Sequence, residues 1–117
     1  MSTRLKPCPD KPNCVCSQHH DASDKVHHIS PLKVSGEDPM ARIKAVVTAM
    51  PRTEVKEEGD GYMRVVFTTA ILRFRDDVEF ELDADAGVVH VRSASRVGYS
   101  DLGLNRKRVE AIRAALS

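Results

Sequence analysis

The alternation of apolar and polar residues between Thr53 and Ser95 constrains the fold more than any other feature of this 117-residue chain. A period of two places successive side chains on opposite faces of a β-strand. The turn sequences "EEGDG" and "ADAG" divide the segment and predict two hairpins, hence four strands joined by short connections. One face of the sheet would carry Val55, Met63, Val65, Phe67, Phe74, Val78, Phe80, Leu82, Val89 and Val91.

Charge pairing predicts the register of the second hairpin. If Asp83 pairs with Val88, Glu79 lies opposite Arg92, and opposite charges across a ladder support that pairing. The same parity places Asp76 on the buried face. Because an unpaired buried carboxylate is costly, Asp76 needs either a donor or a local β-bulge.

A helix is predicted on each side of the strands. Asp38 suits an N-cap, Pro39 the first helical position, and Pro51 ends the first helix. Asn105 suits the N-cap of the last helix. The predicted fold class is therefore α+β: a two-layer domain with a four-stranded antiparallel meander, one helix before the strands and one after them.

The first 36 residues differ from the rest in composition. They hold four of the six prolines, all three cysteines and four of the five histidines, without a regular period. We predict an irregular arm over residues 1–36, followed by the α+β domain over residues 37–117. Thiolates and imidazoles bind zinc and copper, so the arm offers a candidate metal site at Cys8, Cys14, Cys16, His19 and His20.

Three alternatives to a metal site remain open on the arm. The spacing of Cys14 and Cys16 is closer than that of the usual structural zinc pair. The thiols could be free, Cys8 and Cys14 could form a disulfide, or Cys14 or Cys16 could be a catalytic thiol near His19.

Composition excludes several classes of function. A net charge of +1 provides no global field for nucleic acid, and three Phe, two Tyr and no Trp are too few to stack bases. No apolar run is long enough to span a membrane. The N-terminal segment lacks the apolar stretch of a signal peptide, so we predict a cytoplasmic protein with reduced cysteines.

The segment from Arg92 to Arg108 carries five cations and a single acid. Cations at a helix start oppose the helix dipole, so they call for a negative charge. Helix N–H groups beside arginines and hydroxyls form an anion-binding arrangement. The candidate ligand-binding residues are Arg92, Ser93, Ser95, Arg96, Asp101, Asn105, Arg106 and Arg108.

An internal ion-pair network is the competing interpretation. Asp76, Asp77 and Asp101 could neutralise these arginines without a ligand, and structural networks resemble functional ones. In that case Arg96 or Arg106 would pair with Asp76, and Arg108 would point to water.

Three segments resemble the domain-of-unknown-function family 1499. They are "CPDKPNCVCSQ" at Cys8–Gln18, "FRDDVEFELD" at Phe74–Asp83 and "VRSASRVGYSDLGLNRKRVEAI" at Val91–Ile112. The family pattern has Ser where this chain has Cys16, and the resemblance implies no activity. It implies that the family is defined by Asp76, Asp77, Arg92, Ser93, Ser95, Arg96, Asp101, Asn105 and Arg108.

These observations favour a small non-enzymatic module that binds an anionic small molecule or an acidic protein partner through Arg92–Arg108. One alternative is an enzyme acting on a phosphorylated or carboxylated small molecule. The other is a Cys/His metal-binding or redox-sensing protein.

Overall fold

Strands and helices segregate into two layers, as the alternation predicts. The computed structural model describes residues 4–117. Its strands are β1 (Cys14–Cys16), β2 (Thr53–Gly59), β3 (Tyr62–Thr68), β4 (Arg75–Asp83) and β5 (Val88–Ser95), and its helices are α1 (Pro39–Thr48) and α2 (Leu104–Leu116). The strands form one antiparallel sheet in the order β1-β5-β4-β3-β2. The α+β class is confirmed.

The fifth strand, β1, comes from the arm that was predicted to be irregular. It pairs with β5, with Cys14 opposite Ala94 and Cys16 opposite Arg92. Three residues are too short to show a period of two, so the sequence pattern missed this strand. Val15 of β1 is buried in the main core, so the arm completes the domain.

The register of β4 and β5 agrees with the prediction. Asp83 lies opposite Val88, and Glu79 lies opposite Arg92. The prediction for Phe74 was wrong, because β4 begins one residue later and Phe74 is exposed in the preceding loop. The core between sheet and helices is aliphatic apart from two phenylalanines: Val15, Ile29, Leu32, Ile43, Val47, Met63, Val65, Phe67, Val78, Phe80, Val89, Val91, Val109, Ile112 and Leu116.

Helix α1 begins where the sequence predicts. The Asp38 carboxylate accepts the N–H of Ala41 at 3.1 Å, and Pro39 fills the first position. Ile43 and Val47 face the core, and the helix ends before Pro51. The capping prediction is confirmed.

The side of the sheet away from the helices, here called the outer face, is partly covered by the start of the chain. Leu5 is buried there against Cys16 and Tyr62. The guanidinium of Arg4 lies 4.8 Å from the centre of the Tyr62 ring. The arm therefore contacts both faces of the sheet.

Candidate functional site

The counter-charge at the start of α2 is Asp101, a residue of the chain itself. One carboxylate oxygen accepts the N–H of Gly103 at 2.8 Å, and the other accepts the N–H of Asn105 at 3.0 Å. Gly103, with φ 81°, is the N-cap, in a backbone region that glycine adopts without strain. The N-cap prediction for Asn105 was wrong, since Asn105 lies inside the first turn. Asp101 occupies the position that an anionic ligand would take.

Arg108 is the partner of the buried carboxylate of Asp76. Its Nη2 lies 2.8 Å from Oδ2 of Asp76, and their side chains are 9% and 1% exposed. The contact is electrostatic, because Oδ2 has no well-directed hydrogen bond. The guanidinium also lies 4.9 Å from the centre of the Phe67 ring. The predictions that Arg96 or Arg106 would pair with Asp76, and that Arg108 would point to water, were wrong.

Asn105 links this ion pair to the arm and the sheet. Its Oδ1 accepts from Nη1 of Arg108 at 2.8 Å and from the hydroxyl of Ser93 at 2.5 Å. Its Nδ2 donates to the Ser95 hydroxyl at 3.0 Å and to the Asn13 carbonyl at 3.1 Å. We call Asp76, Ser93, Ser95, Asp101, Asn105 and Arg108 the buried polar cluster.

Asn13 is a member of this region that sequence reasoning missed. Its side chain donates to the carbonyl of Gly98 at 2.8 Å, and its Oδ1 is buried without a hydrogen-bond partner in the described chain. In the sequence, only its position beside Cys14 sets Asn13 apart. Its contact with the loop between β5 and α2 is visible only in the folded structure. Asn13 therefore ties the arm to that loop.

Arg106 holds the arm rather than a ligand. Its Nη2 lies 3.2 Å from the carbonyls of Lys25 and Val26 and 2.8 Å from that of His28. Lys107, the cation between Arg106 and Arg108, is exposed. The cations at the helix start thus have three different environments.

Arg92 and Arg96 lie on the outer face, away from the buried polar cluster. Arg92 donates to the carbonyl of Lys6 at 2.9 Å and lies 3.5 Å from Glu79. Arg96 donates two hydrogen bonds to Asp77, at 2.9 and 3.0 Å. These bonds are the main reason that the pKa of Asp77 is lowered. Five of the eight predicted ligand-binding residues therefore meet in the buried polar cluster, whereas Arg92, Arg96 and Arg106 lie elsewhere.

A different group of cations converges at one end of the outer face. A cleft of about 300 Å³ is lined by Arg52, Arg73, Arg75, Arg96 and Lys56, together with Thr53, Glu54, Val66 and Thr68. We call its five cations the basic cleft. Only Arg96 was predicted as a site residue. The signal for two others was the pair of arginines in "RFR", which the predicted alternation puts on the polar face, although only Arg75 lies in β4 and Arg73 lies in the loop before it.

The charges of the basic cleft are only partly neutralised. Asp77 pairs with Arg96, and Glu54 lies 3.0 Å from Lys56. Within residues 4–117, Arg73 and Arg75 have no carboxylate partner, while the Nε of Arg52 donates to the Thr68 carbonyl at 3.0 Å. Three guanidinium groups at the cleft therefore lack an internal counter-charge.

The other side of the same end is apolar. A groove of about 400 Å³ lies between the loop of residues 69–74 and the loop of residues 96–103, with Asp76 and Ser95 of the buried polar cluster in its lining. Several large apolar side chains on these loops are exposed, namely Ile71, Leu72, Phe74, Val97, Tyr99 and Leu102. We call these six residues the apolar rim.

The metal site predicted on the arm is not assembled. Cys8 and Cys14 form a disulfide, so neither offers a thiolate, and the prediction of reduced cysteines is wrong for this pair. Cys16 is the free cysteine of the described chain; burial raises its pKa, which disfavours a reactive thiol. The Nε2 of His19 lies 2.6 Å from the carbonyl of Leu5. The five predicted side chains therefore do not form a common set of ligands for zinc or copper.

His20, Asp24 and His27 bring possible ligand atoms together instead. However, Nε2 of His20 accepts the N–H of Cys8 at 2.9 Å, so the proton of a neutral ring lies on Nδ1, facing Asp24. Binding a metal through Nδ1 would move that proton to Nε2, against the N–H of Cys8. The hydrogen bonding of His20 therefore does not fit a metal ligand.

The contacts of His27 instead favour its charged form. Its Nδ1 lies 3.0 Å from the Asp24 carboxylate and its Nε2 lies 2.9 Å from the Lys11 carbonyl, so both nitrogens face acceptors. Burial opposes the charge most strongly, but the bonds to Asp24 and Lys11 together outweigh it, and the pKa of His27 is raised. The pKa of Asp24 is lowered to about 2, mainly by its hydrogen bond with His27.

The geometry defines a small two-layer α+β domain in which a buried polar cluster connects the arm, the sheet and the last helix. The chain belongs to the family described as "Protein of unknown function (DUF1499)", whose model matches residues 4–116. The resemblance seen in the sequence is thereby confirmed. No curated protein matches the chain. Within residues 4–117, neither helix has the length and apolar character needed to cross a bilayer.

Proposed function

We propose that this domain is a binding module for an anionic ligand, and that the ligand is held by the basic cleft. An anionic ligand was also predicted from the sequence, but at the start of α2 and not on the outer face. Arg96 is the residue that the predicted site and the basic cleft share. The observation that supports the new position is that Arg73 and Arg75 line one cleft without a carboxylate partner in residues 4–117.

The contrast with the buried polar cluster favours this position. There, Arg108 is saturated by Asp76 and Asn105, and Asp101 neutralises the helix start. In the cleft, the planar guanidinium of Arg75 is exposed and matches the geometry of phosphate or carboxylate oxygens.

The backbone at the cleft is held in place before any ligand arrives. Arg52 and Arg73 adopt positive φ angles of 58° and 59°, which are sparsely populated by residues other than glycine. The side chain of Arg52 is anchored on the Thr68 carbonyl, and the N–H of Arg96 donates to the carbonyl of Arg75 at 3.1 Å. Such preorganisation reduces the entropy cost of binding.

Titration with inorganic pyrophosphate at constant ionic strength tests this proposal. Calorimetry should give saturable binding, and Arg75→Gln should weaken it about tenfold, since a hydrogen bond between charged groups contributes about 1.5–3 kcal/mol. Arg73→Gln should have a similar effect. Equal pyrophosphate binding by Arg75→Gln and the unmodified protein would refute the proposal that the basic cleft holds the anion.

Two control variants locate the site. Lys33→Gln removes one exposed positive charge near the opposite end of β5, since its neighbour Leu32 pairs with Val89, and should leave pyrophosphate binding unchanged. Lys107→Gln removes an exposed charge at the start of α2. A loss of binding in Lys107→Gln, with none in Arg75→Gln, would return the site to the helix start.

The enzyme alternative remains a prediction that the geometry does not favour. The buried polar cluster has the mixed acid and base composition that catalysis uses. However, Ser93 and Asn105 are fully buried and already bonded to each other, and Asp76 is paired with Arg108. Asp76 borders the apolar groove, but it is 1% exposed and already paired.

We infer that the domain works in an oxidising compartment. The Cys8–Cys14 disulfide supports this, because disulfides persist where thiols are not kept reduced. The cytoplasmic location was predicted from the lack of a signal-peptide stretch, and the reduced cysteines were inferred from that location. Fractionation of the cells that make the protein, with thiol labelling before and after reduction, separates the two locations.

A further inference from the structure

Two loops at one end of the sheet carry the apolar rim. The loop of residues 69–74 is closed by two hydrogen bonds of 2.8 Å, from the Thr69 N–H to the Phe74 carbonyl and from the Phe74 N–H to the Thr69 hydroxyl. At its tip, Ile71 is 91% exposed and Leu72 is 69% exposed. The loop is therefore closed at its ends by hydrogen bonds and exposes its largest apolar side chains at its tip.

The loop of residues 96–103 lies beside it and has the same character. Leu102 is 88% exposed, and Val97 and Tyr99 are also exposed. Leu102 has a positive φ of 56°, a conformation that costs about 1–2 kcal/mol for a residue other than glycine. Contiguous exposed apolar patches of this kind mark interaction sites on monomeric proteins.

The apolar rim adjoins the basic cleft. Arg73 lies in the chain between Leu72 and Phe74, so apolar and cationic side chains alternate along one loop. Arg75 and Arg96 continue the positive charge along the outer face. A surface with apolar side chains flanked by cations can bind an anionic bilayer. The apolar side chains enter the boundary of the acyl chains, and the cations contact the lipid phosphate groups.

We propose that the apolar rim and the basic cleft together dock this domain on an anionic lipid bilayer. This inference rests on the proposed function, since lipid phosphates would be the anions held by the cleft. A bilayer fits better than a small apolar ligand, because Ile71 and Leu102 are 91% and 88% exposed, whereas the lining of a small-molecule pocket encloses most of its ligand. A fluid surface, in contrast, accepts side chains that protrude.

Vesicle flotation with the full chain tests the docking. Vesicles of phosphatidylcholine with phosphatidylglycerol should bind the protein, and vesicles of phosphatidylcholine alone should bind it much less. Ile71→Ser should weaken binding to the anionic vesicles about tenfold, because it removes a large apolar side chain from the contact. Arg73→Gln should weaken it about fivefold, the effect of one cation at a charged membrane surface.

A matched control separates docking from general hydrophobicity. Val26→Ser removes a 50% exposed apolar side chain from the arm, outside the rim, and should leave vesicle binding unchanged. Ile71→Ser should also retain the pyrophosphate binding of the unmodified protein, because Ile71 does not line the basic cleft.

The possible outcomes distinguish the two proposals. Pyrophosphate binding without binding to anionic vesicles would overturn the docking and leave the anion module standing. Failure of both would overturn both. Equal vesicle binding by Ile71→Ser and the unmodified protein would also overturn the docking. A third result would overturn the docking as well: the protein forms a dimer in sedimentation velocity, Ile71→Ser abolishes that dimer, and the protein does not bind vesicles. The apolar rim would then be an interface between two copies of the chain.

Discussion

Replacement of Arg108 by methionine is the perturbation that most directly tests the role of the buried polar cluster. Arg108→Met keeps much of the apolar stem but leaves the carboxylate of Asp76, 1% exposed, without its counter-charge. It also removes the donor 2.8 Å from Oδ1 of Asn105 and the cation over the ring of Phe67. The fold should survive only if it tolerates a buried unpaired charge.

The expected loss is large compared with the stability of a domain of this size. Removing one partner of a buried ion pair costs about 3–5 kcal/mol. At roughly 0.05–0.15 kcal/mol per residue, a chain of 117 residues has about 6–18 kcal/mol in total. The lost hydrogen bond adds about 1 kcal/mol and overlaps with the loss of the pair. We therefore expect Arg108→Met to lower the free energy of unfolding by about 4 kcal/mol.

Urea unfolding followed by circular dichroism measures this change. The dependence of the free energy of unfolding on urea concentration should be the same in the variant and the unmodified protein. Lys107→Met, on the same helical turn but exposed, should change the free energy of unfolding by less than about 0.5 kcal/mol. The double variant Asp76→Val/Arg108→Met should regain most of the stability, because apolar residues can replace a buried ion pair at little cost. A loss below about 1 kcal/mol in Arg108→Met would refute the pairing described here, as would a double variant less stable than Arg108→Met.

Two further predictions concern Asp101 at the start of α2 and the pair of His27 and Asp24 on the arm. Asp101→Ala should destabilise the protein by about 1–2 kcal/mol in urea unfolding, since it removes the acceptor at the start of α2. The control is Asp85→Ala, which replaces an exposed acid in the β4–β5 turn. An equal effect of the two variants would contradict the capping role of Asp101. The stabilisation that His27 provides should be greatest between about pH 4 and pH 6.5. It should fall as pH rises through the raised pKa of His27, and again as acid protonates Asp24 towards its pKa of about 2. Urea unfolding of His27→Gln against the unmodified protein across pH measures it, and a constant difference from pH 5 to pH 9 would contradict the charged pair.

Local sequence patterns were sufficient for the two helices, four of the five strands and their order along the chain. The alternation after Thr53 identified four strands, and the opposite charges of Glu79 and Arg92 predicted the β4–β5 register. Asp38 and Pro39 identified the start of α1 from local backbone chemistry. The three-residue strand β1 lacked any such signal, since its pairing with β5 depends on residues about 80 positions away.

The candidate site was less accessible to sequence reasoning. The pattern placed Asp76 in the core and required a cation beside it, but the choice of Arg108 over Arg96 or Arg106 depends on how α2 is rotated against the sheet. Nothing local to the chain sets that rotation.

The sequence by itself determined that this protein is an α+β domain of its family, with an excess of arginine around its last strand and helix. Only the tertiary structure decided which arginines are neutralised from within and which are left exposed at the basic cleft. The physical reason is that periodicity and capping act between near neighbours in the chain. The partner of a charge is instead decided by distances across the fold, where segments far apart in sequence meet.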